Sequence, residues 1–277
     1  MRIDSHQHFW RYSPANYEWI DDSMRALRRD FLPHDLQPQL QKAGFDACIA
    51  VQATHTLEET HWLLELAEQS LFIAGVVGWV DLRAPDAQSQ LREFARNPKL
   101  VGIRHIVQSE PDDRFLLQPQ FMQGTALLQE FDLAYDILIY PSHLPVAIEF
   151  VKHFPRQPFV LDHLAKPPVR TGDLQPWANH IRELARLPNV YCKLSGMVTE
   201  ADWINWNPHD FHPYLDVVFD CFGPERLMIG SDWPVCLVAA PYLEAMNIVL
   251  EYMSNLPESA AEAVLGGNAR RFYKLVA

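Results

Sequence analysis

Met1-Arg2-Ile3-Asp4-Ser5-His6-Gln7-His8-Phe9-Trp10 opens the chain, and its reading decides between an open and a closed sheet. Ile3 to Phe9 reads as a strand, and on a strand successive side chains alternate faces, so Asp4, His6 and His8 are expected to share one. The next segment, Arg11 to Pro33, is a long connector rich in aromatics and arginine. A nucleotide-binding doubly wound sheet would carry a GxGxxG or GxxxxGKS/T loop at that place. Its absence, together with polar residues at the ends of apolar strands, points to an α/β fold of the (β/α)8 barrel kind.

Working outward, short apolar runs rich in β-branched residues alternate with amphipathic segments, the mark of βα units around a parallel sheet. The predicted strands are Ile3 to Phe9, Ala47 to Ala53, Phe72 to Val80, Leu100 to Val107, Tyr135 to Tyr140, Phe159 to Leu164, Val190 to Ser195 and Leu227 to Ser231. Between them, Thr56 followed by Glu59 predicts a capping box. Trp177, Ile181 and Leu184, like Met246, Leu250 and Met253, keep the spacing of one apolar helical stripe. A second long connector, Gly196 to Pro213, contains Trp203, Trp206, His209 and His212. In a barrel both connectors sit over the C-terminal mouth, where active sites are built.

The 277 residues, 48% hydrophobic and 21% charged, suffice for one barrel domain over residues 1–277. No apolar run approaches the roughly 18 residues of a membrane span, and the start lacks a signal-peptide core, so a cytoplasmic protein is expected. A net charge of -12 argues against nucleic acid and anionic membrane as partners and leaves a small molecule. Cys48, Cys192, Cys221 and Cys236 form no CxxC pair, which predicts free thiols rather than a disulfide frame or zinc knot.

Two imidazoles on one strand face can chelate a metal or bind a substrate oxygen. His163 ends the apolar run from Phe159, and Asp232 follows Leu227-Met228-Ile229-Gly230-Ser231. A charge at the tip of a buried strand is poorly explained by packing, and three strands of one barrel ending this way predict a shared site. Asp232 is the candidate general base for an attacking water. His6, His8 and His163, directly or through a metal, are candidates to stabilise an oxyanion. Arg104 and Lys193, cations on strands, are expected to face the mouth and bind substrate oxygens, with Lys166 ranked below them because a lysine before Pro167 is readily solvated. Trp79, Trp203, Trp206 and Trp233 are candidate walls for a sugar ring.

Taken as a set, Asp4-Ser5-His6-Gln7-His8-Phe9-Trp10, Gly102-Ile103-Arg104, Leu161-Asp162-His163-Leu164-Ala165-Lys166-Pro167, Lys193-Leu194-Ser195-Gly196, Gly230-Ser231-Asp232-Trp233-Pro234 and Gly267-Asn268-Ala269-Arg270-Arg271-Phe272-Tyr273 resemble the amidohydrolase superfamily. The resemblance is to its lactonase branch, with L-fuconolactone, L-rhamnonolactone, 2-pyrone-4,6-dicarboxylate and 4-sulfomuconolactone hydrolases, and it spans nearly the whole chain. It implies hydrolysis of a sugar lactone to the aldonic acid. It also implies a site at His6, His8, His163 and Asp232 that binds one divalent metal, zinc, or works without metal. Where binuclear members carry a carboxylated lysine on the fourth strand, this chain has Arg104 and His105, which argues against a bridged metal pair. His143 is a further candidate ligand, ranked below a helix-start role.

Three other readings stand beside the sugar lactonase. A hydrolase of an anionic lactone would need several arginines at the mouth, with Arg25, Arg28, Arg29 and Arg114 available from loops. A decarboxylase on the same scaffold would call for a firm metal site. A non-catalytic barrel binding a sugar acid would not need Asp232. The sequence is compatible with a monomer or a homodimer.

Overall fold

Eight parallel strands form one sheet in chain order: β1 (Ile3–Gln7), β2 (Ala47–Val51), β3 (Ile73–Gly78), β4 (Leu100–Ile106), β5 (Ala134–Leu138), β6 (Phe159–Leu161), β7 (Val190–Leu194) and β8 (Leu227–Ile229). The coordinates are a computed structural model, and residues 1–275 are described. The sheet closes just past β8, where Asp232 N donates to His6 O at 2.8 Å and His8 N to Trp233 O at 2.7 Å. Between the strands run α1 (Pro33–Ala43), α2 (Leu57–Gln69), α3 (Ala87–Phe94), α4 (Pro119–Leu127), α5 (Leu144–His153), α6 (Trp177–Ala185) and α7 (His212–Phe222), with α8 (Tyr242–Tyr252) after β8. This is the (β/α)8 barrel the alternation predicted.

The helices form where their caps and stripes say they should. Thr56 accepts the Glu59 N–H at 3.1 Å, but Glu59 reaches past Thr56 to the N–H groups of Ala53 and Thr54 at 2.8–3.1 Å. Half of the capping box therefore fastens the end of β2 instead of the start of α2. Trp177, Ile181 and Leu184 are all buried against the sheet. The four cysteines are free, and among the described residues no helix is long and apolar enough to cross a membrane.

Every strand stops one to three residues short of its predicted end, β6 most of all. Past the ladder most of these residues stay buried while regular pairing gives way to single backbone bonds such as Gln52 N to Val77 O at 2.8 Å, whereas Tyr140, beyond β5, is exposed. The connector after β1 folds back as a bridge between Trp10 and Phe31, whose backbones exchange hydrogen bonds of 3.0 and 2.9 Å. At the opposite end Ala269, Phe272, Tyr273 and Leu275 pack onto Ile3, Ala47, Val77, Val160 and Met228, closing the bottom of the barrel.

Candidate active site

Asp232 stands at the centre of the rim. Its Oδ1 lies 3.3 Å from His8 Nε2, 3.7 Å from His163 Nε2 and 3.9 Å from His6 Nε2. The site is nearly shut: side-chain exposure is 5–6% for His8, His163 and Asp232 and nil for His6. Burial opposes ionisation of Asp232, yet His163, His8 and His6 outweigh it and hold the carboxyl far below its usual range. Burial also pushes His163 down to about 4 and His6 well below its ordinary value, so both imidazoles are neutral at pH 7.

Each ring is aimed by its other nitrogen. His8 Nδ1 sits 2.8 Å from Val51 O, and a carbonyl only accepts, so this nitrogen carries a proton and Nε2 is the atom turned toward Asp232. His163 Nδ1 is 2.9 Å from Ser195 Oγ. His6 Nδ1 lies between Asp162 Oδ1 at 3.3 Å and Lys193 Nζ at 3.2 Å. A lone pair facing a carboxylate needs a cation between them, either a proton or a metal. His6, His8 and Asp232 lie close enough to share one ion. The donor set of imidazoles and a carboxylate, each imidazole oriented by an outer partner, therefore fits a single divalent ion of the zinc kind.

Strained backbone puts two of these side chains in place. His163, Leu164, Ala165 and Lys166 have φ of +53°, +54°, +56° and +51°, one left-handed turn without a glycine, and Asp232 has φ of +56°. Left-handed backbone costs roughly 1–2 kcal/mol per residue, and such outliers persist where surrounding contacts over-determine them. Here Trp177 Nε1 donates to Leu164 O at 2.7 Å and Lys166 N to His163 O at 2.6 Å. Gly196, at φ +62°, lies under both side chains: a Cβ on it would fall 2.5 Å from His163 Nδ1 and 3.1 Å from Asp232 Oδ2.

Several sequence expectations are corrected. Asp4 does not share the face of His6, because the register shifts between Asp4 and Gln7. It instead accepts from Ser231 N, Ser231 Oγ and Tyr242 Oη at 2.9, 2.6 and 3.1 Å. Burial lifts its carboxyl to about 6. Arg104 and Lys193 do not present free donors at the mouth; they lie inside the barrel. Arg104 donates to Gln52 Oε1 at 3.1 and 2.9 Å, to Gln52 O and to Asp162 at 3.0 Å, and its Nη1 lies 3.2 Å from His6 Nε2. Lys193 bonds Asp136 at 2.5 Å and Asp162 at 3.1 Å. Trp233 is a core residue, edge-on to Phe9 and Phe31. Trp79, Trp203 and Trp206 are half-buried, with their indole N–H groups on His105, Thr199 O and Ala239 O. His143 accepts the Tyr140 N–H at 3.2 Å at the start of α5.

The sequence reading missed Asp136, Asp162, Gln52 and Ser195, which hold the site from below. Asp162 adjoins His163 in the same motif, and Ser195 follows Lys193 closely; those were the available signals. A second cluster, His55, His105 and Glu110, brings its ligand atoms close together, with the two rings stacked 4.1 Å apart. Ring nitrogens of both histidines have partners within the protein: Trp79 Nε1 donates to His105 Nδ1 at 3.1 Å, His105 Nε2 lies 2.6 Å from Glu110 Oε1, and the Ile106 N–H donates to His55 Nε2 at 2.9 Å.

A model of the family described as Amidohydrolase matches residues 3–275. The chain belongs to that family. It is 45% identical to an L-fucono-1,5-lactonase of Burkholderia multivorans over 99% of this chain and 96% of that one. An L-fucono-1,5-lactonase of Burkholderia ambifaria is 40% identical over the same shares, 99% and 96%. Among solved structures, an amidohydrolase from Burkholderia multivorans with bound zinc superimposes with a TM-score of 0.97 at 45% identity, covering 100% of both chains.

Proposed function

We propose that this amidohydrolase is a lactonase that opens a sugar lactone of the L-fucono-1,5-lactone kind to the aldonic acid. The observation that carries it is Asp232 Oδ1 ringed by three imidazole Nε2 atoms in a nearly closed rim, and the relatives' activity supports the substrate class. Asp232, ionised at neutral pH, takes a proton from the attacking water and later returns it to the alkoxide that leaves the ring. His163, neutral and backed by the Ser195 hydroxyl, directs Nε2 at the carbonyl oxygen that becomes negative. His8, with its Nδ1–H on Val51 O, holds the proton shared with Asp232 or, with His6, His163 and Asp232, a zinc ion. Such an ion would supply positive charge for the carbonyl oxygen and acidify water.

An anionic lactone is disfavoured because the arginines do not converge on the mouth. Arg104 is saturated inside the barrel, Arg28 is paired with Asp22, and Arg114 is exposed and paired with Glu149. Hydrolysis of L-fucono-1,5-lactone and a panel of other sugar lactones, followed by proton release with and without chelator, tests the reading. Asp232→Asn should lower turnover by on the order of a thousandfold while its circular dichroism matches the parent. Hydrolysis by that variant at the parental rate would remove Asp232 as the base, and a parent inactive on every sugar lactone would remove the function.

A further inference from the structure

The left-handed turn does more than aim His163. In a helix of three residues per turn the side chains of i and i+3 eclipse each other, and the Lys166 N–H to His163 O bond closes such a turn. Lys166 therefore leaves the backbone on the same side as His163. Its Nζ meets one carboxylate oxygen, Glu200 Oε1 at 3.1 Å, and lies 5.7 Å from the centre of the Tyr140 ring. An ammonium has three donors, so two are unmatched by protein, and the side chain keeps 16% exposure. Burial works against its charge, but Glu200 and Asp232 outweigh that and keep it protonated.

Glu200 in turn is tied to the reacting groups. The Thr199 hydroxyl donates to Gly196 O at 2.6 Å and reaches Glu200 Oε1 at 3.3 Å, and Gly196 is the residue packed under His163 and Asp232. Lys166 and Glu200 thus flank the rim from two loops. Lys193 and Arg104 are committed to carboxylates inside the barrel, whereas Lys166 keeps donors to offer.

A lactone is neutral, whereas its hydrolysis product, once the new carboxylic acid has released its proton to solvent, carries a full negative charge beside an already ionised Asp232. We propose that Lys166 receives the carboxylate released when the ring opens, and that Glu200 is its resident competitor, which takes the ammonium back and so helps the product leave. The inference rests on the lactonase reading for the identity of the anion and on the turn for its place.

The test is binding of L-fuconate by calorimetry and its inhibition of L-fucono-1,5-lactone hydrolysis, with L-fucitol as the neutral control. Lys166→Met should weaken L-fuconate by about tenfold or more, the loss of one charge-assisted hydrogen bond, and leave L-fucitol unchanged. Lys166→Arg should retain most of the L-fuconate affinity, and Glu200→Gln should tighten it severalfold. Equal losses for the acid and the alditol in Lys166→Met, or parental L-fuconate affinity there, would overturn the inference. If Lys166→Met does not fold, Glu200→Gln decides alone: unchanged or weaker L-fuconate binding overturns it. Calorimetry needs no turnover, so an inactive parent counts against the lactonase reading, whereas an active parent that binds no L-fuconate counts against the role of Lys166.

Discussion

The interior and the rim of the barrel are both built from charged side chains, but they are completed differently. In the interior the cations meet acceptors: Arg104 is forked between Gln52 and Asp162, Lys193 is clasped by Asp136 and Asp162, and Tyr273, near the C-terminal end of the chain, donates to Asp136 at 3.0 and 2.8 Å. At the rim three imidazole nitrogens face one Asp232 oxygen at 3.3–3.9 Å, and Lys166 has one partner for three donors. A buried charge with all its bonds made is scaffold, because moving any of its partners leaves a desolvated ion. A buried charge with bonds left open costs stability, and a fold retains it where a ligand or proton completes the set.

The contrast can be broken most forcefully in the interior. Lys193→Met removes the cation between two buried carboxylates, and about 3–5 kcal/mol of unfolding free energy should go with it in a denaturant titration. A loss below about 1 kcal/mol, the size of an exposed pair, would mean that the interior network does not support the barrel.

A carboxylate supported by backbone donors sharpens the comparison. Asp162, between Lys193, His6 and Arg104, is held well below the ordinary range despite its burial. Glu59 is met by the N–H groups of Ala53 and Thr54, and burial outweighs these donors and the more distant Arg104 charge, raising it from 4.5 to about 7. Because the folded value is the higher one, the native state binds the proton more tightly. The stabilisation is fully present below pH 4.5 and is lost as pH rises through about 7. Relative to Glu59→Gln, the parent should lose on the order of 3 kcal/mol over that interval, read from denaturant midpoints at several pH values. Parallel stability curves for the two proteins would show that Glu59 does not titrate there.

The smallest effect belongs to the turn that joins the two regions. Trp177→Phe deletes the indole N–H on Leu164 O and should cost about 1 kcal/mol of stability. Turnover should fall further than that loss explains, since His163 and Lys166 hang on the same four residues. Full activity in a destabilised Trp177→Phe would show that the turn is held without it.

The legibility of the chain followed the range of the forces involved. The eight strands and the helices between them were readable because apolar period and caps are local, and each strand start fell within one residue of its predicted position. The strand ends ran long, since burial continues past β6 and β8 after pairing stops. His6, His8, His163 and Asp232 could be named from their places at strand tips, while their convergence is a tertiary fact. The sequence reading expected Arg104 and Lys193 to face the mouth and bind substrate oxygens, whereas they meet protein oxygens inside the barrel. It could not tell that Asp136, Asp162 and Gln52, far away in the chain, would supply them.

By itself, then, the sequence determined the alternation of strand and helix, the number of βα units and the residue types gathered at the strand ends, because nearest-neighbour geometry and side-chain hydrophobicity suffice for these. Tertiary structure alone decided the left-handed turn at His163–Lys166, the shift that separates Asp4 from His6, and the division of the ions into a matched interior and an open rim. Each of these depends on which distant groups are in reach once the sheet has closed. Local preference opposes the turn, and only contacts from Trp177 and neighbouring loops hold it.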